Sequence, residues 1–206
     1  MDAPGRASGE PARHRPGLLH FAARVGFLVY KRLFIGLEIP ENCRETLAAL
    51  NPRIKGLRWL PSDQLHLTMS FLGNVESSRE EALKTAFAQV RVPPFFLPIQ
   101  GVGNFGGPMP TVVWAGVGHG HPHLFALHRR IQDAVLRENL EPDLKPFHPH
   151  ITIGRARGVS RAALKPFLRQ HEETEFGLWQ VTGFTLYSSI LSSDGATYTV
   201  ELRHGF

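Results

Sequence analysis

The chain has 206 residues, enough for one domain or for two small lobes that share a core. With 42% hydrophobic and 20% charged residues its composition is that of a globular protein, and its single cysteine, Cys43, excludes an intrachain disulfide and is expected to be inert. No run of 18 apolar residues occurs, so no membrane-spanning helix is predicted. A reducing compartment fits, and we expect a cytoplasmic protein.

The net charge of +5 is unevenly distributed along the chain. Residues 1–31 carry +3, which leaves +2 for the other 175 residues. The main part of the chain therefore lacks the strong overall field of a general nucleic-acid binder. Any phosphate-binding surface must be a local cluster.

Residues 1–31 are predicted to form an N-terminal extension, disordered or weakly helical, ahead of a domain that spans 32–206. The extension opens with "MDAPGRASGEPARHRPG", which has almost nothing to bury. The apolar stretch that follows is broken by His20 and Arg24, so it does not read as a signal peptide.

From Arg32 onward, strand and helix patterns alternate in each half of the chain. Ser78 and Glu81 have the spacing of a helix capping box. In chain order the predicted elements are strand RLFIGLEIP, helix ENCRETLAAL, strand QLHLTMSFLG, helix SSREEALKTAFAQV, strands FFLPIQGVGNF and TVVWAGV, helix HLFALHRRIQDAVLREN, strand HITIG, helix SRAALKPFLRQH, and closing strands WQVTGFTLYSSIL and TYTVEL. The halves read as structural copies of each other.

Two predicted strands carry the same pattern, His-x-Thr-x, 84 positions apart. The first copy contains His66 and Thr68, and the second contains His150 and Thr152. Residues two apart in a strand share a face, so each strand presents an imidazole and a hydroxyl on one side and aliphatic residues on the other. One such strand is usually structural, but two at equivalent places in two halves favour a shared site.

Two imidazoles and two hydroxyls are suited to displacement at phosphorus. Imidazole titrates near pH ~6.5, so one ring can accept a proton while the other donates one. Threonine hydroxyls are neutral donors for the non-bridging phosphoryl oxygens. If the two strands lie side by side, we expect the imidazoles to face each other across one cleft.

At these motifs the chain resembles the 2H phosphoesterase superfamily, and within it the RNA 2′,3′-cyclic phosphodiesterases, also called 2′-5′ RNA ligases. The resemblance covers about residues 32–206. It is carried by RLFIGLEIP, LRWLPSDQLHLTMSFLG, GVGNFGGPMPTVVWAGV, PFHPHITIGR and FTLYSSIL with a later tyrosine. It implies a bilobal α+β fold with pseudo-twofold symmetry, in which two antiparallel sheets line a central cleft and helices lie outside. It also implies a reaction that needs no metal or other cofactor.

The resemblance further implies roles for the motif residues. His66 corresponds to the proton donor, His150 to the proton acceptor, and Thr68 and Thr152 to phosphate-binding residues. The implied reaction opens a terminal 2′,3′-cyclic phosphate of RNA to a 2′-phosphate, and with a 5′-hydroxyl RNA end as the reactant the same geometry makes a 2′-5′ linkage. The implied partners are RNA ends or oligonucleotides carrying the cyclic phosphate, with no membrane, and we expect a monomer.

Two other functions are compatible with the same residues. One is a phosphodiesterase that acts on 2′-5′ oligonucleotides or on small cyclic nucleotides. The other is a non-catalytic binder of RNA ends, which the four intact motif residues argue against.

Arg155 is a further candidate for phosphate binding. In a regular strand it would point away from His150 and Thr152, but a bulge at Gly154 would turn it toward them. Phe71 and Phe147 are candidates for stacking on a base, as is Trp59, although each is also typical of a core position.

The segment "GHGHPHLFALH" contains four histidines, at positions 119, 121, 123 and 128. Closely spaced histidines can bind zinc, but no cysteine or carboxylate lies here at ligand spacing. The segment is interpreted as a loop that precedes a helix, and no metal site is predicted.

Overall fold

A computed structural model describes residues 29–118, 120–143, 145–193 and 195–206. The elements are β1 Tyr30–Glu38, α1 Glu41–Ala49, β2 Leu57–Trp59, β3 His66–Glu76, α2 Glu80–Phe87, β4 Phe95–Phe105, β5 Val112–Val117, α3 Pro122–Arg137, β6 His150–Ala156, α4 Arg161–Gln170, β7 Glu175–Val181, β8 Gly183–Ser192 and β9 Gly195–Gly205. The prediction for residues 1–31 falls almost entirely outside the described residues, and β1 begins at Tyr30.

The alternation of strands and helices is confirmed, with two local corrections. β2 is a short strand that the sequence patterns did not indicate. The predicted capping box is wrong: α2 begins at Glu80, and the hydroxyl of Ser78 instead donates to the carboxylate of Glu76. This hydrogen bond holds Ser78 in a short 3₁₀ turn, Ser77–Arg79, ahead of the helix.

The described strands form an antiparallel sheet in the order β7-β4-β5-β6-β3-β1-β8-β9, with β2 paired to β6. The centre of this order lies between β6 and β3, and four strands follow on either side. This arrangement confirms the predicted α+β class with two similar halves. The two predicted sheets are, however, joined into one nine-stranded sheet, because Leu67 of β3 pairs with Ile151 of β6.

One face of the sheet packs into a single apolar core with the helices. The buried face of α3 is the predicted stripe of Leu124, Leu127, Ile131 and Val135. Burying one face fixes strand register, because a slip of one residue would turn the polar side chains of the other face into the core. Among the helices of the described residues, none is long and apolar enough to cross a bilayer.

Candidate active site

The two strands that carry the motifs lie side by side at the centre of the sheet. They run antiparallel and pair through Leu67 and Ile151, the residues that directly follow the two histidines. Both of these residues are fully buried, and successive side chains of a strand point to opposite faces. The two histidines and two threonines therefore lie together on the other face, where each is half-buried.

Each imidazole is held by the same local hydrogen bond. Nδ1 of His66 lies 2.9 Å from the carbonyl oxygen of Gln64, and Nδ1 of His150 lies 2.6 Å from that of His148. A carbonyl oxygen only accepts, so Nδ1 carries the proton in both rings. Nε2 is thus the nitrogen left to accept a proton from a substrate or donate one to it.

A β-bulge follows the threonine in β3. Gly36 of β1 pairs with Thr68, and the preceding residue, Ile35, pairs with Ser70, which leaves Met69 as an extra residue. Both Met69 and Ser70 are buried. The extra residue shifts the side-chain alternation by one position, so Phe71 lies on the same face as Thr68.

β6 has a bulge at the equivalent position. Trp114 of β5 pairs with Thr152 and Val113 pairs with Gly154, so Ile153 is the extra residue. Arg155 consequently joins the face of Thr152 and is exposed there. The predicted turn of Arg155 toward the motif thus occurs, through a bulge one residue earlier than the predicted position at Gly154.

His66 lies among aromatic rings. Its ring centroid is 5.0 Å from Phe34, 5.1 Å from Tyr198 and 6.2 Å from Tyr187. Burial lowers the pKa of His66 to about 4, and the positive charges of Arg155 and His150 act in the same direction. In the ligand-free protein His66 is therefore neutral at pH 7.

His150 has fewer aromatic neighbours in the described chain. Phe105 packs edge-on against it, with the centroids 4.9 Å apart. Burial lowers the pKa of His150 as well, and the charges of His148 and Arg155 add to the effect. Arg155 acts on both imidazoles, and His150 acts on His66, so the three side chains form one electrostatic cluster.

The comparisons with known proteins agree with this geometry. Residues 40–190 match the model of the 2′-5′ RNA ligase superfamily. The chain belongs to this superfamily. This confirms the resemblance read from the two motifs.

The relatives of this chain include two proteins named RNA 2′,3′-cyclic phosphodiesterase. The one from Thermus thermophilus is 33% identical, with 82% of this chain and 87% of that protein covered. The one from Escherichia coli is 30% identical, with coverage of 82% and 93%. The crystal structure of E. coli LigT complexed with 3′-AMP matches with a TM-score of 0.71 and 28% identity, over 86% of this chain and 99% of that one.

The sequence patterns did not identify several aromatic rings that line the cleft. These are Phe34, Phe105, Tyr187 and Tyr198, although both tyrosines lie in the closing strands that carry part of the resemblance. Burial raises the pKa of Tyr187 to about 12, with a further contribution from the charge of Glu38. Burial also raises the pKa of Tyr198, so both hydroxyls stay protonated donors.

The candidates for base stacking separate into two groups. Phe71 is 52% exposed, on the face of the motif residues. Phe147 instead packs on α3, stacked on His128 with centroids 4.1 Å apart, and base stacking by Phe147 stays a prediction. Trp59 packs against Phe167, and its indole nitrogen donates to the carbonyl oxygen of Leu47.

The histidine-rich segment packs against aromatic residues. His121 stacks on Phe95, with centroids 5.0 Å apart, while His119 lies outside the described residues. Within the described ranges, no group of three or more His, Cys, Asp or Glu side chains is arranged to hold a metal ion. Cys43 is buried, which raises the pKa of its thiol.

Proposed function

We propose that the protein hydrolyses the 2′,3′-cyclic phosphate at the end of an RNA to a 2′-phosphate. The observation that carries this proposal is the pair of imidazoles on adjacent strands, each with Nδ1 fixed by a carbonyl and Nε2 free for proton transfer. The relatives named RNA 2′,3′-cyclic phosphodiesterase support the choice of substrate.

In the proposed reaction, Nε2 of His150 accepts a proton from water as the water oxygen attacks phosphorus. The bond from phosphorus to the 3′ oxygen breaks, and His66 donates a proton to that oxygen. Thr68 and Thr152 donate hydrogen bonds to the non-bridging oxygens, and Arg155 contributes positive charge. When the 5′-hydroxyl of a second RNA replaces water as the nucleophile, the same groups open the cyclic phosphate to a 2′-5′ linkage and release the 3′ oxygen as a hydroxyl.

The low pKa of His66 makes its protonation dependent on the substrate. In the ligand-free protein the acid form is disfavoured by burial and by the nearby charge of Arg155. The negative charge of a bound phosphodiester raises the pKa of both imidazoles. We expect a bell-shaped kcat/KM profile that belongs to the coupled pair and has its maximum below about pH 6.5, because both free-enzyme pKa values are depressed.

The experiment is a substrate panel assayed in EDTA. It contains a dinucleotide ending in 2′,3′-cyclic phosphate, a 2′-5′-linked dinucleotide and small cyclic nucleotides. We expect the first to be opened to a 2′-phosphate without added metal, since the two histidines supply both acid and base. A strict need for zinc or magnesium would contradict the mechanism.

The same panel separates the alternatives. Preferred cleavage of a 2′-5′ linkage or of a small cyclic nucleotide would assign a different substrate, and tight binding without turnover would indicate an RNA-end binder. A cytoplasmic location and a monomeric state stay predictions, which fractionation and light scattering can check.

A further inference from the structure

We propose that the cleft continues into a second anion-binding site, which holds the phosphodiester on the 5′ side of the terminal nucleotide. The preferred substrate would then be the end of an oligonucleotide rather than a mononucleotide. This inference rests on the proposed function. It concerns a cavity of about 540 Å³, within the ~300–1,000 Å³ typical of ligand pockets. We call it the arginine groove, lined by Gly56, Leu57, Arg58, Arg155, Arg157, Ser192, Ser193 and Gly195.

The sheet aligns the three arginines of the groove. Arg58 of β2 is paired with Arg155 of β6. The backbone N–H of Arg157 donates to the carbonyl oxygen of Gly56, which continues the pairing beyond β6. Ala156 is buried between two exposed arginines, so Arg155 and Arg157 lie on one face, two residues apart.

Among the described residues that line the groove, the charged ones are arginines. Among the carboxylates of the described residues, none forms an ion pair with Arg155 or Arg157. Arg58 takes part in another interaction, so the donors that we assign to the ligand are those of Arg155 and Arg157.

The groove joins the catalytic cluster through Arg155. β3 and β6 run antiparallel with Leu67 opposite Ile151. His66 therefore lies beside Thr152, in the direction of β6 that leads to Arg155. Tyr198 connects the two sites, since its ring contacts His66 and its pKa responds to Arg155 and Arg58. The groove is therefore on the His66 side of the cleft.

The position next to His66 indicates which part of the RNA the groove receives. In the proposed reaction His66 protonates the 3′ oxygen, which belongs to the terminal ribose. The ribose and the chain attached to its 5′ carbon consequently extend from phosphorus toward His66. The first phosphodiester along that chain is the anion nearest to Arg155 and Arg157. Guanidinium groups bind such phosphates through paired N–H donors.

A second basic groove lies on the other side of the cleft. This cavity of about 870 Å³ runs along α4, where Arg161, Lys165 and Arg169 line it together with Trp114. Trp114 contacts Phe105, which in turn contacts His150. The α4 groove is thus close to the attacking side of phosphorus, where a second RNA would enter in ligation. Its exposed arginines provide a matched control for those of the arginine groove.

The test compares kcat/KM for a 2′,3′-cyclic mononucleotide with that for a dinucleotide that ends in the same cyclic nucleotide. We expect the wild-type protein to prefer the dinucleotide. Arg157→Ala should lower this preference by about tenfold, the effect of one charged hydrogen bond. It should also make the salt dependence on the dinucleotide shallower by about one charge. Arg161→Ala, an exposed arginine of the α4 groove, should keep the wild-type preference.

Each outcome decides between sites. Equal kcat/KM for the two substrates in the wild-type protein, or an unchanged preference in Arg157→Ala, would overturn the proposal. Loss of the preference in Arg161→Ala alone would move the phosphodiester to the α4 groove. If neither substrate is hydrolysed, the proposed function fails, and binding of a dinucleotide 2′-phosphate still tests the groove. The affinity of Arg157→Ala must then be about tenfold below that of the wild-type protein.

Discussion

Strands β3 and β6 carry the same four-residue motif on the same bulged backbone, but their surroundings differ. Three aromatic rings surround His66, and its pKa is lowered to about 4. Among the described residues, His150 has one ring contact, with Phe105. At the residue where each bulge returns the chain to the cleft, β3 has Phe71 and β6 has Arg155.

The two halves thus share the backbone that places the motif residues and differ in the side chains that surround them. The backbone of either half can place an imidazole and a hydroxyl, and the Nδ1 hydrogen bonds are equivalent. Direction arises from the neighbours, since a reaction with one acid and one base cannot be symmetric. The exposed ring of Phe71 is suited to a base, and Arg155 is suited to an anion.

Removing either imidazole should have the largest effect on activity. His66→Ala and His150→Ala should each lower kcat by about 10²–10⁴-fold, the usual contribution of a positioned acid or base. The double variant should lose much less than the product of the two, because the residues act together. Single-turnover rates on the cyclic-phosphate dinucleotide measure all three variants.

An activated leaving group distinguishes the two roles. It needs little protonation, so it should restore the rate of His66→Ala far more than that of His150→Ala. Equal restoration would show that the two rings are not acid and base. Restoration of His150→Ala alone would reverse the assignment.

The threonines should contribute less than the histidines. Thr68→Ala and Thr152→Ala each remove one neutral donor, and we expect losses in kcat of about 10²-fold or below. Thr→Ser variants keep the hydroxyl and should recover most of the rate. A loss in Thr68→Ser as large as that in Thr68→Ala would point to packing by the methyl group instead.

Phe71 and Arg155 test the asymmetry of the two bulges. Phe71→Ala should raise KM by about tenfold, in line with ~1–3 kcal/mol for one stacked base. Arg155→Ala should affect both KM and kcat, because its charge acts on the phosphate and on the two imidazoles. Phe71→Leu, which keeps apolar bulk without a π face, is the control. If Phe71→Leu retains the wild-type KM, base stacking is excluded.

The depressed pKa of His66 should also appear in stability, as the smallest effect. Between about pH 6.5 and pH 4 the unfolded chain binds a proton that the folded protein does not, so stability falls as pH is lowered through this window. His66→Ala removes this difference. Its loss of stability between pH 7 and pH 5 should be about 1–2 kcal/mol smaller than that of the wild-type protein. Denaturant unfolding at the two pH values measures it, and His150→Ala should show the same sign.

The sequence predicted the elements and motifs well, since period-two and helical apolar patterns reflect burial directly. It placed each histidine on the face opposite the buried residues for the same reason. That the two strands are neighbours was a condition of the argument, and the pairing of Leu67 with Ile151 meets it. The two bulges were harder to predict, because an extra residue becomes visible only against the register of the neighbouring strand. The sequence pattern therefore predicts the bulge at Gly154, one residue after the observed extra residue, Ile153.

The aromatic surroundings of His66 could not be derived from local patterns. Phe34 and Tyr187 are brought together by the pairing of β1 with β8, which are far apart in the chain. Likewise, nothing in the segment around Phe147 indicates that His128 stacks on its ring. Tertiary contacts of this kind depend on topology.

Within the described residues, the β3 and β6 halves are connected in the sheet by one residue pair, Leu67 with Ile151, directly beneath the two histidines. A phosphate bound by both imidazoles would therefore bridge the sheet where its own hydrogen bonding is weakest. Binding of this phosphate would add a connection between the two halves of the sheet. Inorganic phosphate should consequently slow hydrogen exchange of the amides at this junction, in proportion to ligand concentration.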